Sequence, residues 1–336
     1  MSTYLTRARL TRTVCAALAA GLLGAAAPAF AAGDGPHIER NKWSFGGLFG
    51  QFDEAQLRRG FQVYQEVCTS CHGIKRVYFR NLVQPGGPQF PEESVKALAA
   101  SWPNQIHDGP NDNGDIADKK GNLIKRPAKL SDPILGPYDN DNQARAAQNG
   151  ALPPDLSLMA RARNVDYTGS IAYHPISMLK DIATGYQEGG ADYIFAILTG
   201  YADKPPAYAR DKSGHLAVVA DVKDEKAVER CATVAVGEAG APDVCNKLQD
   251  GMYFNKYFPG GQIAMPPPPL PVKYQATAGV TASVEQNAKD LSAFLSWTAD
   301  PKLSERKRIG WQVLLYFVIT SLLLYVAKKR VWKNAH

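Results

Sequence analysis

The sequence predicts a mainly α-helical domain with long irregular loops, followed by one C-terminal membrane-spanning helix. Apolar side chains recur at helical spacing within residues 52–67 and again within residues 284–297. Between these segments, residues 103–150 are rich in Pro, Gly, Asn and Asp and show little periodicity. Residues 309–327 carry no charge and are long enough to cross a hydrocarbon core of about 30 Å. These three observations determine the predicted fold class.

The helices of the domain are predicted from their caps and apolar stripes. Residues 52–67 form the first helix, because Asp53 is a suitable N-cap and an apolar stripe follows it. The last helix of the domain begins after Ser283, which can cap it in the same way. Shorter helices are predicted over residues 92–102 and 191–199. The sequence shows no internal repeat.

The N-terminal segment predicts export of the chain. Residues 1–31 contain three arginines and no acidic residue, continue through the apolar run 14–27, and end in Ala-Phe-Ala. This order is typical of a secretory signal peptide that is cleaved after Ala31. Cleavage would also remove Cys15, which leaves four cysteines in the mature chain.

Residues 301–336 are interpreted as a membrane anchor with a short cytoplasmic tail. The apolar span 309–327 lies between two basic clusters, and Trp311 and Trp332 are placed to lie at the two membrane interfaces. Because both flanks are basic, the positive-inside rule does not orient the helix. The signal peptide does, since it predicts that residues 32–300 form a domain outside the membrane.

The net charge of the whole chain, +6, hides a difference between its parts. Residues 32–300 hold 27 basic and 31 acidic side chains, so the predicted exported domain carries a net charge of −4. An acidic domain favours a basic protein partner and argues against nucleic acid as a ligand. On this count alone, a solvated surface without a preferred partner is equally compatible.

The run Cys68-x-x-Cys71-His72 is the strongest chemical signal in the sequence. It is typical of c-type haem attachment, in which both thiols bond the haem vinyl groups and the histidine binds the iron. A zinc site would need a second ligand pair, and Cys231 and Cys245 are too far apart to form one. A thioredoxin-like motif would need a helix after it, whereas we expect a loop there. The run therefore predicts one covalently attached haem c.

The order of the predicted elements specifies the fold further. A helix leads into the haem motif near the mature N-terminus, a long irregular stretch follows, and a final helix precedes the anchor. This order is typical of class I cytochromes c, whereas bundle-type cytochromes carry the motif near the C-terminus. The haem supplies apolar surface, so a long loop is compatible with a folded domain. We expect the two terminal helices to cross beside one haem edge.

The second axial ligand of the iron decides between electron transfer and chemistry at an open site. Met265 lies in the run Gly-Gly-Gln-Ile-Ala-Met-Pro-Pro, where glycines allow close backbone approach and prolines stiffen the chain. This stiff loop precedes the final helix and predicts Met265 as the ligand. A methionine raises the reduction potential relative to a second histidine, because thioether sulfur favours ferrous iron.

The remaining methionines and histidines are weaker candidates for the same position. Met159 and Met178 lie in apolar, helix-like surroundings and are assigned to core packing. The candidates that stay open are Met252, His107, His174 and His215. With Met265 bound, the iron would be closed on both sides, and such a site transfers electrons without binding substrate.

Cys231 and Cys245 predict a disulfide, because they enclose 15 residues in a chain that we expect to be exported. Closing a loop of that length stabilises the folded state by roughly 3 kcal/mol. Two unpaired thiols are the alternative.

Several runs along the chain match one known family in the same order. They are residues 43–47, 52–53, 56–68, 79–82, 149–157, 161–163, 189–193, 253–255 and 265–267. The longest run reads QLRRGFQVYQEVC and ends at the first haem cysteine. On these runs the chain resembles the cytochrome c1 family, the haem subunit of quinol–cytochrome c reductase, over essentially its whole mature length.

The resemblance implies roles for residues that the patterns leave unassigned. It implies ligation of the haem iron by His72 and Met265. It also implies contacts from Arg163 and Tyr193 to the haem propionates, where a cation and a phenol hydroxyl would stabilise buried carboxylates.

Two further features follow from the same resemblance. Glu92 and Glu93 match an acidic region that lies near the docking surface for cytochrome c in the family, with a solvated helix start as the alternative. Relative to mitochondrial members, residues 164–188 and 205–250 are insertions. The second insertion carries the cysteine pair, as in bacterial members.

The resemblance also implies a biological role. Members of the family take one electron from the Rieske iron–sulfur protein and pass it to a cytochrome c. They work with cytochrome b, which holds the quinol chemistry, in a dimeric complex of a respiratory or photosynthetic chain. The chain would then be an oxidoreductase subunit without an acid–base site of its own. Its haem domain is expected on the periplasmic side of a bacterial plasma membrane.

Two other functions fit parts of the sequence. A free-standing anchored cytochrome c would shuttle electrons to an oxidase without cytochrome b. A haem peroxidase or ligand sensor would need an open or labile sixth position, and such a protein has no need of the stiff loop around Met265.

Overall fold

The described structure covers five ranges of the chain and is mainly helical with some short strands. The computed structural model describes residues 38–110, 114–163, 189–237, 241–274 and 279–334. The predicted signal peptide, residues 1–31, and the insertion 164–188 lie outside the described residues.

Seven α-helices lie within the described ranges. They are α1 Glu54–Glu66, α2 Glu92–Ala100, α3 Asp141–Ala147, α4 Met159–Ala162, α5 Gly190–Thr199, α6 Val284–Ala299 and α7 Leu303–Val331. Short 3-10 turns lie at Cys68–Ser70, Phe79–Leu82, Glu225–Ala227 and Trp332–Asn334. The four predicted helices of the domain are present, and their ends lie within two residues of the predicted ones.

Short antiparallel strands accompany the helices. They are β1 Ile74–Tyr78, β2 Ile106–His107, β3 Lys125–Arg126, β4 Pro133–Ile134, β5 Ala207–Arg210, β6 Leu216–Val219, β7 Glu229–Arg230, β8 Thr233–Ala235, β9 Val244–Asn246, β10 Tyr253–Phe254 and β11 Gln262–Ile263. They form a three-stranded sheet in the order β6-β5-β7 and the pairs β1–β4, β2–β3, β8–β9 and β10–β11.

The prediction of one irregular stretch over residues 103–150 was therefore incomplete. This stretch contains the β2–β3 pair, strand β4 and helix α3. The strands within it are two residues long, and so short a strand shows no alternation that periodicity could detect.

Helix α1 begins where its sequence predicts. The carboxylate of Asp53 accepts a hydrogen bond from the backbone N–H of Gln56 at 2.7 Å, so it satisfies one free donor of the first turn. Leu57, Phe61 and Tyr64 of the apolar stripe are buried. The amphipathic pattern thus sets the face of α1 that packs into the core.

Helices α1 and α6 pack against each other and form the centre of the core. The rings of Phe61 and Phe294 meet edge to face with centroids 5.6 Å apart. At Gly60 the backbones approach so closely that an added Cβ would lie 2.1 Å from the carbonyl oxygen of Asp290. The predicted contact between the first and last helices of the domain is confirmed.

Helix α7 follows α6 after a short break. A proline disfavours the helical conformation of the residue before it. Pro301 therefore ends α6 at Ala299 and separates it from α7. The helix contains the predicted span 309–327 and is long and apolar enough to cross a membrane. The apolar side chains of this helix are exposed, and no other part of the described protein buries them.

The insertion 205–250 is a small β-structure within its described residues. Strands β5, β6 and β7 form its sheet, and β8 and β9 form an adjacent hairpin. Cys231 and Cys245 form a disulfide with their Cα atoms 5.2 Å apart. The disulfide joins the start of the hairpin to strand β9.

Candidate haem site

The haem motif lies in a tight turn at the end of α1. The backbone N–H groups of Cys71 and His72 both donate to the carbonyl of Cys68, at 3.1 and 2.8 Å. Neither thiol of the motif is in a disulfide. The turn therefore places two free thiols and an imidazole within five residues.

A strand follows the motif, so the expectation of a loop there was wrong. Strand β1 begins at Ile74 and pairs with β4, where Ile74 faces Ile134. Both isoleucines are fully buried. The strand forms because this burial is gained together with backbone pairing, whereas the thioredoxin-like alternative would require a helix at this position.

The ring of His72 is oriented by a backbone carbonyl. Its Nδ1 atom lies 2.7 Å from the carbonyl oxygen of Pro154. A carbonyl can only accept a hydrogen bond, so Nδ1 carries the proton and Nε2 keeps its lone pair. Burial lowers the pKa of His72 and outweighs the opposing effect of this hydrogen bond. The imidazole is thus neutral and has one nitrogen free to bind a metal, the state that a haem ligand requires.

Glycines allow the backbone after His72 to pack closely. An added Cβ at Gly73 would lie 2.5 Å from the backbone nitrogen of Gly136, and one at Gly136 would lie 2.8 Å from that of Gly73. The hydroxyl of Tyr64 donates to the carbonyl of His72 at 3.2 Å. The motif is thereby held from α1 on one side and from the β4 strand end on the other.

Both thiols of the motif are half-buried. Desolvation, followed by the nearby Cys71 sulfur, raises the pKa of Cys68 to about 12. The side-chain amide of Gln148 lies 3.5 Å from the sulfur of Cys71 and donates to the hydroxyl of Tyr138 at 2.7 Å. The donor set of two unpaired thiols and one oriented neutral imidazole fits a c-type haem.

Met265 lies in a loop that several distant segments hold. Its backbone carbonyl accepts a hydrogen bond from the hydroxyl of Tyr201 at 3.1 Å. Gly261 has a φ of +69°, and an added Cβ there would lie 2.3 Å from the carbonyl oxygen of Ala232. Glycine is therefore needed at this position both for its backbone conformation and for the close approach of the disulfide hairpin.

A buried asparagine joins the same loop to helix α5. Asn255 is fully buried and donates from its side-chain nitrogen to the carbonyl of Ile197 at 2.7 Å. Its side-chain oxygen accepts from the backbone N–H of Tyr257 at 3.0 Å, and its own backbone N–H donates to Gly261 at 3.0 Å. The turn before Met265 is thus fixed to the helix that carries Tyr193.

Arg163 and Tyr193, the two predicted propionate contacts, lie together. Their side chains form a hydrogen bond, and the arginine partly offsets the effect of burial, which raises the pKa of Tyr193. Burial raises the pKa of Tyr201, and the nearby Tyr193 adds to this effect. Tyr201 in turn donates to the backbone carbonyl of Met265.

One segment, residues 154–163, connects the two groups of site residues. At its start, the carbonyl of Pro154 accepts a hydrogen bond from His72, and the N–H of Leu156 donates to the carbonyl of Gly73 at 2.8 Å. At its end, after α4, stands Arg163. The segment therefore holds the haem motif and the arginine in one continuous piece of chain.

The other candidate ligands have other partners where they are described. His107 lies 3.1 Å from Asp139, and His215 lies 3.3 Å from Asp243. Met159 packs against the core, as the sequence predicts. Met252 lies in the turn before β10 and stays a candidate ligand of the iron. His174 and Met178 lie outside the described residues.

The predicted docking residues begin helix α2. Glu92 and Glu93 lie in its first turn, and each forms an ion pair with Lys96 at 2.9 Å. This arrangement suits a solvated helix start, in which acidic side chains stabilise the N-terminus. It leaves a docking role as a prediction.

The sequence did not predict the roles of three residues that contribute to the site. Pro154 acts through its carbonyl, and Gly136 acts by lacking a side chain, so neither carries a recognisable chemical group. Tyr201 follows the end of α5 and gave no signal by itself. A glycine directly after the haem histidine, Gly73, was the one local sign that another backbone approaches there.

Comparisons with known proteins match this chain over nearly its whole length. The model of the cytochrome C1 family matches residues 43–335. Cytochrome c1 from Blastochloris viridis is 40% identical over 318 residues, covering 94% of each chain. Cytochrome c1 from Rhodospirillum rubrum is 36% identical over 320 residues, covering 95% of this chain and 96% of that protein. Cytochrome b/c1 from Bradyrhizobium diazoefficiens is 38% identical over 296 residues, which are 88% of this chain but span only 36% of that longer protein.

Proposed function

The chain belongs to the cytochrome c1 family, the haem subunit of the bc1 complex, and from this membership we propose that it transfers single electrons from the Rieske iron–sulfur protein to a cytochrome c. The observation that carries the proposal is the hydrogen bond of His72 to Pro154, because it leaves the other ring nitrogen of a neutral imidazole available beside two free thiols.

The residues of the motif would hold one haem c, which supplies a one-electron carrier when bound. Cys68 and Cys71 would attach it through thioether bonds, and His72 would bind the iron through Nε2. Met265 would supply the second ligand, and its sulfur would favour the ferrous state and raise the potential. With both protein ligands in place, the group would carry electrons without binding substrate.

Arg163 and Tyr193 would contact the haem propionates. Both side chains can donate hydrogen bonds, and the arginine adds a positive charge, so the pair suits a carboxylate. Their mutual contact supports this role, because it orients both donors before a carboxylate arrives.

The bilayer and a cytochrome b subunit would complete the working unit. Helix α7 would anchor the chain in a bacterial plasma membrane with the haem domain on the periplasmic side. The similarity to part of a protein named cytochrome b/c1 supports assembly with a cytochrome b. In this arrangement cytochrome b performs the quinol chemistry in a dimeric complex, and this chain performs the electron transfer.

Purification through an affinity tag on this chain tests the proposal. We expect cytochrome b and the Rieske protein to co-purify, quinol to reduce the haem c, and added cytochrome c to reoxidise it. A chain that purifies alone and passes electrons to an oxidase would instead be a free-standing carrier. Rapid carbon monoxide binding to the reduced native complex would contradict the closed iron site.

A further inference from the structure

The loop 44–51 lies beside the start of α7 and has no part in the proposed electron transfer. A backbone hydrogen bond from Gln51 to Ser44 at 3.0 Å closes the loop. At Gly50 an added Cβ would lie 1.8 Å from the carbonyl oxygen of Gly46. The loop is therefore a tight turn with a defined shape.

The tip of this loop presents two large apolar side chains to the surroundings. Leu48 is 55% exposed and Phe49 is 67% exposed, whereas the nearby Phe45 is buried. Apolar surface of this size gains free energy when it leaves water, so a rigid turn that exposes it marks a contact surface.

Hydrogen bonds attach the loop to one face of α7. Ser304 and Lys307 lie on this face, one turn apart. The hydroxyl of Ser304 accepts from the backbone N–H of Phe52 at 3.2 Å. The ammonium group of Lys307 donates to the carbonyl oxygen of Phe45 at 2.6 Å and to that of Gly47. The loop is thus fixed to the helix at both of its ends.

The loop tip contacts α7 near the beginning of its apolar span. Trp311 follows Lys307 by one turn, and its ring meets the ring of Phe49 edge to face with centroids 5.6 Å apart. The uncharged span begins at Ile309, so Trp311 lies about 3 Å into it along the helix axis. Tryptophan favours the boundary between headgroups and acyl chains.

We infer that the loop 44–51 inserts Leu48 and Phe49 into the headgroup–acyl boundary of the bilayer, as a second membrane contact beside α7. The inference rests on the proposed function only in requiring that α7 spans a membrane. Lipid is the occupant that fits, because the loop tip is continuous with the exposed apolar side chains of α7.

Spin-label accessibility in the full-length, haem-loaded chain tests the inference. The protein would be placed in nanodiscs of phosphatidylcholine and phosphatidylglycerol, with one introduced cysteine labelled by a nitroxide. The three sites are Phe49→Cys at the loop tip, Val318→Cys in the middle of the apolar span, and Val218→Cys as an apolar, 68% exposed control in the insertion. The unsubstituted chain gives the labelling background.

The measured quantity is the ratio of collision rates with oxygen, which enters lipid, and with a water-soluble nickel chelate. We expect a high ratio at positions 49 and 318 and a low ratio at position 218. A high ratio at 318 with a low ratio at 49 would overturn the inference, and so would a label at 49 that neither reagent reaches, because protein would then cover the loop. A low ratio at 318 would refute the membrane-spanning helix itself.

Discussion

The two halves of the candidate haem site differ in how they are held. His72 lies in the turn that follows α1, and its surroundings belong to the helical core through Tyr64 and the paired strands β1 and β4. Met265 lies in a loop without regular structure, and its supports come from Tyr201 and from the disulfide hairpin next to Gly261. The first half is anchored in the helical core, whereas the second is held by Tyr201 and the disulfide hairpin.

This difference has a physical consequence for the iron site. The His72 half shares its stability with the core, so it should be lost only when the domain unfolds. The Met265 half depends on a few contacts at the edge of the domain, and such contacts open at lower free energy than the core. Substitutions should therefore loosen the methionine side without affecting the histidine side, and the reverse should not occur.

The largest effect is expected from Phe61→Ala, which acts on both halves at once. Phe61 packs against Phe294 at the crossing of α1 and α6 and is 3% exposed. Its truncation should lower the free energy of unfolding by about 3–5 kcal/mol. Urea unfolding measures this loss, with Val218→Ala as an exposed control that should change stability by less than about 0.5 kcal/mol. A loss below about 1 kcal/mol would show that the core does not depend on this crossing.

The next effect is expected from replacing Cys231 and Cys245 together by serine. Opening their loop should remove roughly 3 kcal/mol of stabilisation. Because the hairpin contacts Gly261 through Ala232, we expect faster hydrogen exchange around Met265 and carbon monoxide binding to the reduced protein. Exchange of the α1 amides should stay slow. Equal acceleration in α1 would show that the two halves are one cooperative unit.

A smaller effect is expected from Arg163→Gln. If Arg163 contacts the propionates, loss of its charge favours the ferric form over the ferrous form, so the reduction potential should fall by some tens of millivolts, where about 59 mV corresponds to a tenfold change in the equilibrium constant. Redox titration measures the shift. Arg161→Gln is the matched control, since Arg161 pairs with Asp300 at 2.7 Å instead. An equal fall in both variants would point to a general charge effect.

The smallest effect is expected from Tyr201→Phe, which removes the hydrogen bond to the Met265 carbonyl. Such a bond contributes about 1 kcal/mol, so imidazole should displace the methionine about fivefold more readily. Tyr253→Phe, at an exposed position on the neighbouring strand, should leave imidazole binding unchanged. Equal imidazole binding by the two variants would show that Tyr201 does not stabilise the Met265 loop.

The same contrast explains what could be predicted from the sequence. The cap at Asp53, the stripe of α1 and the haem motif are all local patterns, and the structure has helix α1 and the motif in the predicted order. The apolar span likewise predicted a helix long enough to cross a membrane. The ligand roles of His72 and Met265 stay predictions, supported by geometry on the histidine side.

The remaining features depend on contacts that leave little trace in a sequence. Pro154 contributes only a carbonyl, and Gly136 contributes the absence of a side chain, so neither residue type indicates its partner. Tyr201 reaches Met265 across 64 residues of chain. The strands of the insertion are two to four residues long, too short for their alternation to predict them.

The haem spectrum and potential of Met265→Leu test the central claim most directly. If Met265 closes the iron site, the ferric protein should lose the absorption band that arises from sulfur bound to iron, the potential should fall, and the reduced protein should bind carbon monoxide. His72 and the helical core should be unaffected, so the domain should remain folded. An unchanged low-spin spectrum and an unchanged potential would contradict the account and assign the sixth position to another side chain.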